Sequence, residues 1–315
     1  MAFMKNWALP MAIITGIISY LLYVSMPVFD ITRTWINNVV AILQPTLIFA
    51  MLFITFCNIG VRDLRPHRWQ FWLVIFQMSC FFLMTIVLYG IPETTWKVVL
   101  ECAMLCLICP TATAGAVVTA KMGGNAAAIT TYTIIINSIV AFVAPAMIPV
   151  LYPQEGMSFL PAFQTILQKV FPVLICPLLL AWLVRYYIPA LHQVLVRYRD
   201  CAFYLWTVSL AIAVAVSCKV LAHSNVSFLL LTGIGIVSLV CCLIQFAVGK
   251  KIGAHYSMRL EGGQSLGQKN TVFAIWLGYT FLNPITALAG GFYSIWHNLV
   301  NSYELYKYRN SGKIE

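Results

Sequence analysis

The chain alternates long apolar runs with short polar punctuation, and the runs set the architecture. About ten segments come close to the ~20 residues that a membrane helix needs. The first runs from about Trp7 to Met26 and the second from about Trp35 to Asn58. The third spans roughly Trp69 to Gly90, the fourth starts near Trp96, and the fifth runs from about Ala126 to Tyr152. The polar connection from Pro153 to about Pro161 divides the chain near its middle. The sixth segment ends near Tyr187 and holds Pro172 and Pro177; the seventh is about Cys201 to Leu221 and the eighth about Val226 to Val248. The tenth runs from about Ile285 to Tyr306. This pattern predicts an all-α polytopic membrane protein.

The ninth segment breaks the pattern. It opens on Glu261-Gly262-Gly263-Gln264-Ser265-Leu266-Gly267-Gln268-Lys269-Asn270 and then turns apolar from Val272 to Leu282. Polar, glycine-interrupted backbone at membrane depth is tolerated only where it is buried in protein or lines a cavity. The stretch therefore predicts a helix broken inside the membrane with a ligand or ion at the break; the alternative is a loop, with the helix starting at Thr271. The fourth segment carries a second irregular stretch, Cys109 to Thr119. There Pro110 removes a backbone donor, Gly115 loosens the helix and three threonines offer hydroxyls.

Composition narrows the class. The chain has 315 residues, 61% hydrophobic and 9% charged. So few charges could not cover a soluble core, and no polar stretch is long enough for a second, soluble domain. The net charge of +10 does not indicate nucleic acid, because it sits in short loops. The clusters are Arg62 to Arg68, then Arg185, Arg197 and Arg199, then Lys250, Lys251 and Arg259, and finally Lys307, Arg309 and Lys313. With ten crossings these clusters, Lys5 and Lys121 share one side, which makes both termini cytoplasmic. The expected location is a bacterial inner (plasma) membrane. The N-terminus resembles a signal peptide, but its apolar run is long and no cleavage pattern follows, so it is expected to stay as the first helix. Of ten cysteines most lie in apolar runs and act as small apolar residues. Cys102, Cys106 and Cys109 share helical spacing, but no histidine is near them in sequence, which favours packing over metal.

Each half holds five segments with an irregular fourth member. Paired interrupted segments at matching positions point to the binding site of a secondary transporter. The expected organisation is a first five-helix repeat (1–152), an inverted second repeat (161–307) and a cytoplasmic tail (308–315).

Cys109-Pro110, the turn Lys121-Met122-Gly123-Gly124-Asn125, and the Gly267 to Asn270 break resemble the bile acid:sodium symporter family. The resemblance covers the whole chain in segment number and order. It implies ten helices in two inverted repeats, core and panel domains interleaved across both, and crossing discontinuous helices four and nine. It further implies alternating-access transport of a small organic anion, with sodium as the coupling ion. Together with the polar residues inside the apolar segments, it gives as candidate substrate contacts Thr111, Thr113, Gly115, Lys269, Asn270, His297 and Asn298. The candidate ion-coupling positions are Gln77, Thr133, Glu261, Ser265, Gln268 and Lys269.

The chain departs from the family at its ions. The family has Ser-Asn at the first crossing, where this chain has Gly115-Ala116. The family's ninth helix reads roughly E-x-G-x-Q-N. One register keeps its carboxylate as Glu261; the preferred one aligns Ser265 to Asn270, placing Ser265 at the glutamate and Lys269 at the glutamine. Gln77 and Ser265 are then candidates for a residual sodium site, and no other metal site is expected. Lys269 is expected to stand where a sodium ion was lost, binding a substrate carboxylate or losing and regaining a proton; the plainer alternative is snorkelling to the surface. Sodium, a proton or no coupling ion all stay open, as does the oligomeric state.

Other polar residues have plainer readings beside the functional ones. Glu101 is expected to pair with Lys97 one turn away near the outer surface, or else with Lys269, and Glu261 with Arg259 at the surface. Asn137 and Ser138, like His297 and Asn298, suit interhelical hydrogen bonds, and His297 also suits a proton relay. Thr111, Thr113, Thr130, Thr131 and Thr133 are candidates for lining a cavity or for packing. Trp7, Trp35, Trp69, Trp96, Tyr303 and Tyr306 are expected as interfacial anchors. The histidines are scattered, which argues against an intramembrane enzyme. A non-transporting membrane sensor or receptor on the same fold is the main alternative to a transporter.

Overall fold

The computed structural model describes residues 2–25, 32–60, 64–92, 94, 96–153, 157–198, 201–223 and 226–310, with the side chains of 2–9 and 309 excepted. Arg62, Asp63, Arg199, Lys313 and most of the 308–315 tail lie outside the described residues, as do the side chains of Lys5, Trp7 and Arg309. Every regular element among the described residues is helical. In hydrocarbon a helix satisfies its backbone within itself, which is why an apolar sequence of this kind adopts no open sheet. Among the described residues, five helices are long and apolar enough to cross a membrane, or six if one bent pair is a single span. The chain is a multi-pass helical membrane protein.

The helices fall into two compact units, Met1–Asn58 with Cys176–Val226, and Ile59–Ile175 with Ser227–Glu315. Neither unit follows the 1–152 and 161–307 halves; each draws helices from both.

The first unit contains α1 (Ala2–Ser25), α2 (Arg33–Cys57), α8 (Cys176–Tyr187), α9 (Pro189–Arg197) and α10 (Cys201–His223). Here α10 packs on α1 and α2, and α2 on α8. The short α9 is tied back by His192 Nε2, 2.8 Å from the Cys57 carbonyl at the end of α2. The sixth apolar segment is not one straight span. It is α7 (Phe159–Leu174) followed by α8, interrupted at Ile175. Pro172 and Pro177 flank the interruption and explain it, because each removes a backbone donor from the ladder.

The second unit holds α3 (Arg68–Gly90), α4 (Lys97–Ile108), α5 (Ala114–Lys121), α6 (Ala126–Leu151), α7, α11 (Phe228–Ala254), α12 (Arg259–Gly267), α13 (Thr271–Phe281) and α14 (Ala287–Asn310). The Glu261 stretch is therefore neither a loop nor a surface segment. It is helix α12 (Arg259–Gly267), exposed at Arg259 and buried from Glu261 to Gly267. Its glycines let α11 approach within backbone contact. A Cβ at Gly262 would collide with the Gly249 carbonyl, and a Cβ at Gly249 with the Gly262 carbonyl.

Two anchoring expectations differ from what is found. Trp35, Trp96, Tyr303 and Tyr306 are exposed, as interfacial anchors would be. Trp69 is buried, its ring 6.2 Å from that of Tyr132 on α6, so it is a packing residue. Lys97 and Glu101, one turn apart on α4, are both buried rather than at an outer surface.

Candidate functional site

Two helix breaks face each other inside the second unit. The first lies between α4 and α5, at Cys109–Thr113; the second lies between α12 and α13, at Gln268–Asn270. Pro110 carries no N–H and cannot continue α4, and the residue before a proline avoids the helical region. Cys109 accordingly leaves the helix at φ −55° and ψ 128°. At the second break the backbone leaves its helix at Gln268, φ −92° and ψ 105°. The two extended pieces then pair as a short antiparallel bridge between Thr111 and Lys269. Ala112 N–H donates to the Gln268 carbonyl at 2.9 Å, and Asn270 N–H donates to the Pro110 carbonyl at 2.8 Å. Each break thus supplies the hydrogen bonds that the other lost, which buried backbone requires.

Side chains complete the joint. Thr111 Oγ1 donates to the Ser265 carbonyl. The Cys109 thiol donates to the Asn270 carbonyl at 2.9 Å. Gln77 on α3 donates from Nε2 to the Cys109 carbonyl at 3.2 Å, and its Oε1 accepts from the Tyr132 hydroxyl at 3.1 Å. Asn270 caps α13 by accepting from Phe273 N–H at 3.2 Å. The Cys-Pro pair is explained: the thiol and the missing N–H both serve the crossing.

What is left over is chemically informative. Lys269 is 1% exposed, and its Nζ makes no hydrogen bond with any described residue. Ser265 Oγ, Gln268 Oε1 and Asn270 Nδ2 are also buried without partners. The thiols of Cys106, Cys109, Cys241 and Cys242 lie within electrostatic reach of the ammonium. Buried polar groups are nearly always satisfied, so four orphans at one joint mark a site for a polar ligand or water. Snorkelling is ruled out for Lys269 by its burial. Gly115 lies beside Gln268: a Cβ there would stand 3.6 Å from Gln268 Oε1, so the position has room for a side chain it does not carry.

Thr111, Gly115, Ser265, Gln268, Lys269 and Asn270 therefore meet at one place, with Gln77 reaching it through the Cys109 carbonyl. Other candidates lie apart from it. Glu261 sits at the opposite end of α12, buried, and accepts from Asn125 N–H at 2.7 Å in the turn between α5 and α6. Its carboxylate holds that turn rather than a surface pair with Arg259. Thr130, Thr131 and Thr133 each donate to a carbonyl one turn back in α6, and Asn298 donates to the Ser294 carbonyl at 2.7 Å. Thr113 begins α5 half-buried, without a side-chain cap bond. His297 is buried against Tyr293 on α14. Asn137 is buried with neither amide atom bonded, and Ser138 bonds within its own helix.

Two contributors escape a sequence reading. Tyr293 donates to the Gly267 carbonyl at 2.8 Å, and Gln245 on α11 donates to the Tyr293 hydroxyl at 3.1 Å and the Cys106 carbonyl at 3.3 Å. A lone amide in the apolar eighth segment was the available signal for Gln245. No protein-family model matches the chain, and no curated protein matches it.

Proposed function

We propose that the protein is a secondary transporter for a small organic anion, with Lys269 as a built-in cation of the binding site. Ten crossings, two inverted five-helix repeats and alternating access, as in the bile acid:sodium symporter family that the chain resembles, are part of this reading. The observation that carries it is the buried Lys269 ammonium without a hydrogen-bond partner, set at two paired helix breaks. A buried cation is costly and marks a site where a counter-charge arrives. The start of α13 adds the positive end of a helix dipole beside it, which also favours an anion.

The sodium ions of that family do not fit the residues present. Hard cations take several oxygen ligands, yet Gln77 Oε1 is engaged by Tyr132 and Gly115 and Ala116 bring no side-chain oxygen. A sodium ion about 4 Å from a charged Lys269 would meet a repulsion of about 4 kcal/mol at an effective dielectric near 20. The ammonium supplies the positive charge instead, and a substrate carboxylate neutralises it.

The test is thermal stability of the purified full chain against benzoate, pyruvate and cholate, each in sodium and in potassium salts. Ligand binding stabilises by RT ln(1 + [L]/Kd). The expected outcome is a shift with at least one anion, equal in both salts and absent in Lys269→Met. A shift that needs sodium overturns the role given to the lysine. The anion that binds is then followed into proteoliposomes; binding with no uptake makes the protein a receptor on the same fold.

A further inference from the structure

Beyond the anion site, polar groups continue along one helix. Tyr293, His297, Asn301 and Glu304 follow the spacing that places them on one face of α14, and all four are buried. The row begins at the break, where the Tyr293 hydroxyl bonds the Gly267 carbonyl. The Cys242 thiol is hydrogen-bonded to that hydroxyl and lies within electrostatic reach of Lys269. His297 stands edge-on to Tyr293, ring centroids 5.8 Å apart. One turn on, Gln264 Nε2 donates to Asn301 Oδ1 at 2.9 Å and to Glu304 Oε2 at 3.0 Å. Glu304 is ion-paired with Lys250, whose side chain is 27% exposed. The Lys250 chain crosses α12 over Gly263, where a Cβ would stand 2.7 Å from its Cγ.

This row runs from a buried lysine to a partly exposed ion pair, and it is not closed. His297 Nδ1, Asn301 Nδ2, Gln264 Oε1 and Ser294 Oγ are buried without hydrogen-bond partners among the described residues. A seam that only held helices together would have its polar atoms paired, since each orphan costs stability. Successive orphans along one path are the lining that hydrogen-bonded water needs.

We infer that this face of α14 conducts a proton between Lys269 and the Glu304–Lys250 end, so that a proton is the ion exchanged at the anion site. The inference rests on Lys269 being the cation of that site. Lys269–NH3+ gives up one proton and keeps the electron pair of the broken N–H bond. The row takes up that proton at its Tyr293 end as it releases one to water beside Lys250, and the break loses one positive charge. The titratable groups facing Lys269 are the thiols of Cys106, Cys109, Cys241 and Cys242. At the far end Glu304 has Lys250 and Tyr308 near it, and Arg259 and Glu261 also act on Tyr308.

The experiment needs no anion. The full chain in detergent is taken by stopped flow from about pH 10 to about pH 6, spanning much of the range over which lysines in varied surroundings titrate. Tryptophan fluorescence is recorded; Trp276 lies buried two turns from Lys269 and packs on Phe273. The expected trace holds a relaxation that Lys269→Met abolishes. Tyr293→Phe and His297→Leu keep its amplitude and slow it about tenfold or more, within the range that a positioned proton carrier contributes. Thermal melts of each variant establish that it is folded, and His297→Gln replaces His297→Leu if the latter is not. Unchanged rates in both variants overturn the path. Absence of any Lys269-dependent relaxation overturns proton exchange itself. Failure of every anion to bind would instead strike the transport proposal and leave this trace readable.

Discussion

The two ends of α12 carry opposite charges and are treated oppositely by the fold. Glu261 lies in the first turn, where the helix dipole favours an anion, and its carboxylate accepts from Asn125 N–H. Lys269 lies just beyond the last turn, where the same dipole favours a cation. Two residues later α13 begins, and its positive end opposes that preference. The acid is buried and bonded; the base is buried and unbonded. Burial alone does not separate structural from ligand-binding charges here. Satisfaction does, and it assigns Glu261 to holding the α5–α6 turn and Lys269 to something that arrives.

The sharpest way to break this contrast is to remove each charge. Glu261→Ala removes the acceptor of the part-buried Asn125 N–H and leaves space beside the buried end of α12, and is expected to cost about 2–3 kcal/mol. Lys269→Met keeps length and volume while deleting an unsatisfied buried group. It is expected to leave stability unchanged or raise it by about 1–2 kcal/mol. Thermal melts in detergent compare the two. Should Lys269→Met fall as far as Glu261→Ala, the lysine is a structural residue and the contrast fails.

A smaller effect probes the joint between the breaks. Thr111→Val retains the shape and removes the hydroxyl that donates to the Ser265 carbonyl. The expected loss is about 1 kcal/mol in the same melts. The anion-dependent shift should survive, because the backbone bridge between Thr111 and Lys269 remains. Loss of the shift with little loss of stability would place the hydroxyl on the ligand instead.

These contrasts show what the sequence can and cannot carry. The spans were legible because lipid demands long apolar runs, and both breaks were legible because Pro110, Gly262, Gly263 and Gly267 interrupt them. That Glu261 would reach Asn125, 136 positions away, was not, because the carboxylate's partner is a backbone N–H and every residue but proline has one. Trp69 was misplaced for a related reason. Lipid-facing and protein-facing positions are both apolar in a membrane helix, so position near a span's end suggested an anchor where the fold made a core residue. Glu304 carried no signal of burial either, since it lies close to the basic tail. The thiol of Cys109 looked like filler, and its bond to the Asn270 carbonyl exists only once the two breaks meet.

The smallest expected effect separates two neighbours on α14. His297 and Asn298 are adjacent in sequence, and a helix turns about 100° per residue, so they face different surroundings. His297 is buried in the polar row, whereas Asn298 is half-buried and donates within its own helix to the Ser294 carbonyl at 2.7 Å. A side chain already bonded to a carbonyl one turn back has little to offer a ligand. Asn298→Leu is therefore expected to stay within about 0.5 kcal/mol of the parent, to keep the anion-dependent shift, and to leave the pH-jump relaxation unslowed. If Asn298→Leu instead erases the anion shift while the melts stay level, the bond to Ser294 yields to the substrate. The anion then lies against the half-buried side of α14, and the His297 face is left to the proton alone.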